Sequence, residues 1–205
     1  MVSASPVAPL AAPSAALLAA PTRSRAGKRL SIVAPCFNEQ EVLDLFFDRI
    51  EAELGRLGVD YEIVCVNDGS RDHTLAVLLA RHQRDPRVKV INLARNFGKE
   101  TALSAGLDAA SGDMVVPIDV DLQDPPELID QFIAAWENGA DVAYGVRVDR
   151  KADTPLKRFT AQGFYRAFNR LSDVDLPYNA GDFRLMDRRV VEVLRQLPER
   201  NRFMK

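Results

Sequence analysis

Asp119 and Asp121 stand two residues apart at the end of a short apolar run, Met114 to Ile118. Side chains two apart on an extended segment point to one side, so both carboxylates face a single point beyond the run. Carboxylates held that close repel each other, and a divalent cation between them removes the cost. An all-oxygen ligand set suits Mg2+ or Mn2+, which keep positions open for a substrate diphosphate. Gln123, in the same phase, adds a carbonyl oxygen to the set. Asp124 before Pro125-Pro126-Glu127 fits a helix N-cap, which accounts for Asp124 but for neither Asp119 nor Asp121. Two further apolar runs end in polar groups, one in Pro35-Cys36-Phe37-Asn38-Glu39 and one in Asn67-Asp68-Gly69-Ser70. Asn96, Gly98 and Lys99 open a helical stretch, and a helix N-terminus with an ammonium is a natural anion site. A purely structural turn is the alternative there.

The elements that must position these groups alternate along the chain. Leu30 to Pro35, Tyr61 to Val66, Val88 to Asn92, Met114 to Ile118 and Asp141 to Tyr144 read as strands. Between them lie helical patterns: Glu39 to Leu57, a second ending near Arg84, Glu100 to Ala110, and Pro126 to Glu137. In the first of these Val42, Leu45, Phe46, Ile50 and Leu54 recur at three- and four-residue spacing. Strands that are apolar on both faces and alternate with helices form a mostly parallel sheet covered on two sides, so the fold class is α/β. Ligands of such sheets bind beyond the carboxyl ends of the strands, and the acidic and amide groups above all converge on that rim. After Arg147 the alternation stops. Amphipathic helices are expected over about Pro155 to Leu171 and Asp187 to Gln196, with Tyr178 to Arg184 a polar loop entering the second.

Several functions are excluded or disfavoured. A Gly-x-Gly-x-x-Gly turn should follow the first strand of a dinucleotide enzyme, and no glycine lies between Lys28 and Leu54. Gly98-Lys99 is followed by Glu100, where a phosphate loop needs Ser or Thr. The net charge of −2 argues against a general nucleic-acid binder. No run of 18 apolar residues is present to span a bilayer. Two cysteines, Cys36 and Cys65, cannot make a disulfide framework or a four-ligand zinc site, and read as buried thiols. Length and composition fit one soluble domain, with residues 1–27, rich in Ala and Pro, as a disordered leader. Charge is unevenly spread: residues 1–146 carry 13 basic and 21 acidic side chains, residues 147–205 carry 14 and 8. The last quarter therefore faces something anionic, or is simply a solvated basic face.

The ordered set Pro-Cys-Phe-Asn-Glu, Val-Asn-Asp-Gly-Ser, Arg-Asn-Phe-Gly-Lys and Asp-Val-Asp-Leu-Gln-Asp-Pro-Pro-Glu resembles family 2 glycosyltransferases of the GT-A fold. It is most similar to the polyprenyl-phosphate group, which contains dolichyl-phosphate mannose synthases and bactoprenol glucosyltransferases. The resemblance covers about residues 29–205 and implies a GT-A domain over 28–205, with 146–205 facing acceptor and membrane. It implies a metal-dependent, inverting transfer of a hexose from a nucleotide-sugar, UDP-glucose in preference to GDP-mannose, to a polyprenyl phosphate. By that likeness Pro35, Asn38 and Glu39 line the nucleoside pocket and Asp68 bonds the base. Asp119 meets the ribose or the metal, and Asp121 binds the metal with Gln123 nearby. Lys99 and Arg202 contact the donor, Arg147, Arg158 and Arg184 the acceptor phosphate, and Asp182 lies beside the reacting carbon as base or orienting group. The mixed aromatic and basic stretch Leu156 to Leu171 fits an interfacial helix on an anionic membrane or, alternatively, packs its aromatics on the core. The location implied is cytoplasmic, at the inner membrane face.

No nucleic-acid partner is expected from the charge, and a homo-oligomer is left open. Family members continue into membrane helices where this chain stops, so it reads as a fragment or as a relative that meets lipid transiently. Two rival functions follow from the same residues: a transferase acting on a saccharide hydroxyl, with Asp182 as a true base, and a non-catalytic nucleotide-binding or scaffold module.

Overall fold

A computed structural model of the chain describes residues 23–146 and 180–196. Its strands are β1 (Arg29–Cys36), β2 (Asp60–Asn67), β3 (Val88–Asn92), β4 (Met114–Pro117), β5 (Val142–Val146) and β6 (Ala180–Asp187). Helices α1 (Leu43–Leu57), α2 (Thr74–Arg84), α3 (Lys99–Ala109) and α4 (Ile129–Glu137) connect the first five strands, and α5 (Arg188–Gln196) follows the sixth. A single turn of 3-10 helix, Pro126–Leu128, leads into α4. The strands form one sheet in the order β3-β2-β1-β4-β6-β5. β1 pairs in parallel with both β2 and β4, and β2 with β3. The chain therefore reverses its direction of winding between β1 and β4, where an open α/β sheet leaves a crevice beyond its carboxyl ends.

The burial pattern explains the layering. Leu30, Ile32 and Ala34 of β1 join Phe46, Phe47 and Ile50 of α1, Leu78 of α2 and Phe132, Ile133 and Trp136 of α4 on one face. Val33 and Val64 join Leu103 and Leu107 of α3 and Val191 of α5 on the other. Each strand residue thus alternates between two apolar layers, and neither face of the sheet can be left in water. Cys36 and Cys65 are both buried and unbridged. None of the helices among the described residues is long and apolar enough to cross a membrane.

The expected alternation holds through β5, and then the structure departs from it. Ala180–Asp187 is a strand and not a polar loop, and it inserts between β4 and β5, antiparallel to β4. Phe183 and Leu185 enter the first apolar layer and Met186 the second, so Asp182 and Arg184 share the side facing α3. Polar residues at alternate positions concealed this strand. Helix α1 begins at Leu43 and not Glu39, because Glu39 to Val42 form a turn.

The leader boundary also moves. Arg23 donates to the Ala140 carbonyl at 3.0 Å and pairs with Asp141 at 2.6 Å, while Arg25 pairs with Glu137 at 2.7 Å. Residues 23–27, expected to belong to the disordered leader, therefore run against the end of α4. The helix expected over 155–171 lies outside the described residues.

Candidate active site

Two loops at the carboxyl end of the sheet are fastened to each other. The Asn38 N–H donates to Ser70 Oγ at 3.0 Å, and Asn38 Oδ1 accepts the Arg71 N–H at 2.9 Å. The Glu39 N–H donates to Thr74 Oγ1 at 2.8 Å, and Gln40 Oε1 accepts the His73 N–H at 2.8 Å. Asn38 turns the chain with a φ of 58°, a left-handed conformation that asparagine tolerates. The loop after β1 is thus set by the loop after β2, although the bonded residues are 32 to 35 apart in sequence.

Asp68 fastens a third loop. Its Oδ1 accepts the Phe97 N–H at 2.7 Å and its Oδ2 the Gly98 N–H at 2.9 Å. Asp68 is almost wholly buried, so these charge-assisted bonds satisfy orphan donors just ahead of α3. Gly69 follows in left-handed conformation at a φ of 65°, and a Cβ there would lie 2.4 Å from the Arg95 carbonyl carbon. Only glycine allows the 95–98 loop to approach this closely.

The clamp delivers Lys99, the first residue of α3. Its Nζ lies 2.7 Å from Asp119 Oδ2 and 2.8 Å from Asp182 Oδ2. Burial draws the lysine pKa down, but the bonds from the two carboxylates outweigh it and leave the pKa raised. The other oxygen of Asp182 is buried without a hydrogen-bond partner, as is Nε of Arg184 two residues along β6. Burial pushes the Arg184 pKa down, against the attraction of Asp182 and Glu100.

An open cleft of about 270 Å3 lies between these loops, lined among others by Pro35, Glu39, Asp68, Lys99, Asp119 and Asp121. Burial raises the Glu39 pKa, and the charges of Asp121 and Asp119 add to it, so three acidic groups converge here. Among the described residues no three His, Cys, Asp or Glu side chains cluster closely enough to enclose a metal ion. The donor set fits a cation of the other kind: two hard carboxylates on an open rim, where Mg2+ or Mn2+ completes its shell with substrate phosphates and water. Asp121 is held in place by the Gln123 N–H, which donates to its Oδ1 at 3.0 Å.

The structure therefore brings together Pro35, Glu39, Asp68, Lys99, Asp119 and Asp121 on one cleft, with Asp182 joined through Lys99. Asn38 and Gln123 are seen holding loops, and neither lines the cleft. Arg147, Arg158 and Arg202 lie outside the described residues. Sequence reasoning missed the link between Lys99 and Asp182, which depends on β6 lying beside β4. It also missed Asp72, whose carboxylate accepts the Thr74 N–H at 3.0 Å and the Gln40 N–H at 3.3 Å. The Asp-x-Thr spacing before a helix was the available signal for Asp72.

A family model described as glycosyl transferase family 2 matches residues 31–195. An uncharacterised glycosyltransferase of Synechocystis is 52% identical over 176 residues, covering 86% of this chain and 55% of that protein. A bactoprenol glucosyl transferase of Shigella phage SfV is 49% identical over 177 residues, covering 86% of this chain and 58% of its own length. The chain thus spans a little over half the length of these relatives. Among solved structures, glucosyl-3-phosphoglycerate synthase of Mycobacterium tuberculosis with Mn2+, UDP-glucose and phosphoglyceric acid superposes with a TM-score of 0.56 at 23% identity. That match covers 81% of this chain and 59% of the other. A mannosyltransferase of Pyrobaculum calidifontis, in complex with GDP-mannose and Mn2+, gives 0.55 at 22% identity, over 85% and 48%. At these identities the solved structures speak for the fold.

Proposed function

The chain belongs to glycosyl transferase family 2, and from that premise we propose that it moves a hexose from a nucleotide-sugar to a polyprenyl phosphate with inversion. The observation that carries the reading is the placement of Asp119 and Asp121 on a cleft from which Lys99 reaches Asp182 at 2.8 Å. Donor-side and acceptor-side carboxylates are then within one side chain of each other, as a single displacement between two bound substrates requires. The relatives named bactoprenol glucosyl transferases favour a glucose donor and a lipid-phosphate acceptor.

Pro35 and Glu39 line the nucleoside end, with Asn38 behind them; Asp68, expected at the base, serves it through the 97–98 loop that its carboxylate holds. Asp119 and Asp121, with Gln123 behind, would hold Mg2+ or Mn2+, which when bound neutralises charge on the departing nucleoside diphosphate. Lys99 adds positive charge on the same side, and a donor contact is assigned to Arg202 by the family likeness alone. Arg184, with Arg147 and Arg158, receives the acceptor phosphate through its planar fork. That acceptor is already ionised at neutral pH, so Asp182 orients it and need not remove a proton. The excess of basic residues after 146 suits an anionic membrane surface at the cytoplasmic face.

The test is calorimetric titration with UDP and with GDP, each with and without Mn2+, on the wild type and Asp121→Asn. Metal-dependent binding of UDP alone, lost in the variant, supports a UDP-hexose donor. GDP binding in its place moves the donor to GDP-mannose. Absence of both, in a folded protein, overturns the transferase reading for this chain.

A further inference from the structure

Lys99 is not a mobile surface lysine. It opens α3 directly after Gly98, whose N–H is held by Asp68, so the start of its side chain is fixed by a buried carboxylate. At its far end one ammonium is shared by two acidic groups from different strands, Asp119 beyond β4 and Asp182 on β6. Each of those contacts uses the Oδ2 atom, while Asp182 Oδ1 is buried and unpartnered. A buried carboxylate oxygen without a donor is costly unless a ligand supplies one. The protein alone therefore carries an internal cation at the meeting point of the donor and acceptor sides.

We propose that Lys99 is a built-in counter-ion for this site: its ammonium holds Asp119 and Asp182 together when no nucleotide is bound, and it competes with a divalent cation for Asp119. The proposal rests on the reading of Asp119 and Asp121 as the cation-binding pair. Two positive charges cannot share the Asp119 carboxylate without repulsion, so the cation binds poorly to the protein alone. A nucleoside diphosphate changes the balance, because its phosphate oxygens offer the ammonium another partner and free Asp119. Cation and nucleotide then bind cooperatively, and each raises the affinity of the other by the same factor. Lys99 thus acts on the cation through Asp119, and on the nucleotide through its own ammonium.

The experiment is an Mn2+ titration of the wild type, Lys99→Met, Lys99→Gln and Lys99→Arg, with free Mn2+ read by electron paramagnetic resonance, with and without saturating UDP. Removing the ammonium should tighten binding of Mn2+ alone by about tenfold, the cost of one charge-assisted contact. It should also shrink the enhancement that UDP gives, and Lys99→Arg should stay near the wild type. A merely structural lesion does not raise metal affinity, and Lys99→Gln supplies the same measurement if Lys99→Met does not fold. Variants that bind Mn2+ alone no more tightly than the wild type, including no binding by any of them, overturn the proposal. Asp121→Asn with UDP present separates the two levels: if it binds Mn2+ as the wild type does, the cation-site reading itself fails.

Discussion

Ser31 Oγ donates to Glu62 Oε1 at 2.6 Å, directly across the pairing of β1 with β2. Glu62 is 2% exposed and is the hub of a larger knot. Its carboxylate also accepts the Ser111 N–H at 2.6 Å, the Ser111 hydroxyl at 2.9 Å and the Lys89 ammonium at 2.6 Å. The Gly112 N–H closes the ring on Ser31 Oγ at 2.8 Å. The turn that carries the chain from α3 into β4 is thereby pinned to the sheet, and with it the approach to Asp119.

This knot should make stability depend on acid. Burial alone would raise the Glu62 carboxyl, but bonds from Lys89, Ser31 and Ser111 outweigh it and hold the pKa at about 2, against 4.5 for the free group. A carboxyl with a depressed folded pKa contributes its full stability above the unfolded value and loses it as pH falls. Glu62→Gln should therefore cost about 2–3 kcal/mol at pH 7, with the gap to the wild type closing between pH 4.5 and 2. Urea unfolding across that range checks it, and a gap independent of pH would count against the charge as the cause.

Asp68 should behave as a loop clamp. Asp68→Asn turns one acceptor into a donor that faces the Phe97 or Gly98 N–H, and should lower stability by about 1–3 kcal/mol. UDP affinity should fall with it, because the 95–98 loop carries Lys99. Gly69→Ala should give the same loss of binding from the other side, since its Cβ collides with the Arg95 backbone. Amide hydrogen exchange at Phe97 and Gly98 would accelerate in both variants. Unchanged exchange in Asp68→Asn would mean that the clamp contributes little.

Strand positions up to β5 were legible because each strand is a short apolar run, and α1, α2 and α4 because each carries an apolar stripe. Val88–Asn92 coincides with its expected bounds. The convergence of Glu39, Asp68, Asp119 and Asp121 was legible too, because strand ends in a parallel sheet share one rim. Strand β6 was not. Asp182 and Arg184 alternate with Phe183 and Leu185 on the side facing α3, and these two charges made Ala180–Asp187 look like a loop. The pairing of Lys99 with Asp182 depends on that strand and on residues 83 apart, beyond any local pattern. Neither could sequence show Asp68 spent on two backbone N–H groups, since a strand-end aspartate reads equally as ligand or clamp.

Asp182→Asn should separate binding from turnover. The carboxylate lies on the strand side facing α3, and it touches Lys99 at 2.8 Å. The amide preserves size and removes the charge that receives this ammonium. UDP binding with Mn2+ should change by less than about threefold, while transfer to a polyprenyl phosphate falls by about 100-fold or more. Complete loss of transfer, coupled with activity toward a saccharide hydroxyl in the wild type, would point to Asp182 as a true base. An unchanged transfer rate would remove Asp182 from the reaction.

Trp136 offers a direct reading of how the segment before β1 is held. It is the only tryptophan in the chain, and the residue is 3% exposed. The indole N–H donates to Asp187 Oδ2 at 2.7 Å, and the Arg23 guanidinium lies 5.4 Å from the ring centroid. Arg23 also contacts Asp187 at 3.2 Å, so one carboxylate joins the segment, α4 and the end of β6. Asp187→Ala leaves a buried indole N–H unpaired and should cost about 2–4 kcal/mol. Arg23→Ala removes only a half-buried cation and should cost about 1 kcal/mol. Both should move tryptophan emission to longer wavelength as water gains access to the ring, and Arg23→Ala should do so without loss of cooperative unfolding. An emission spectrum of Arg23→Ala identical to the wild type would show that the segment does not shield the ring.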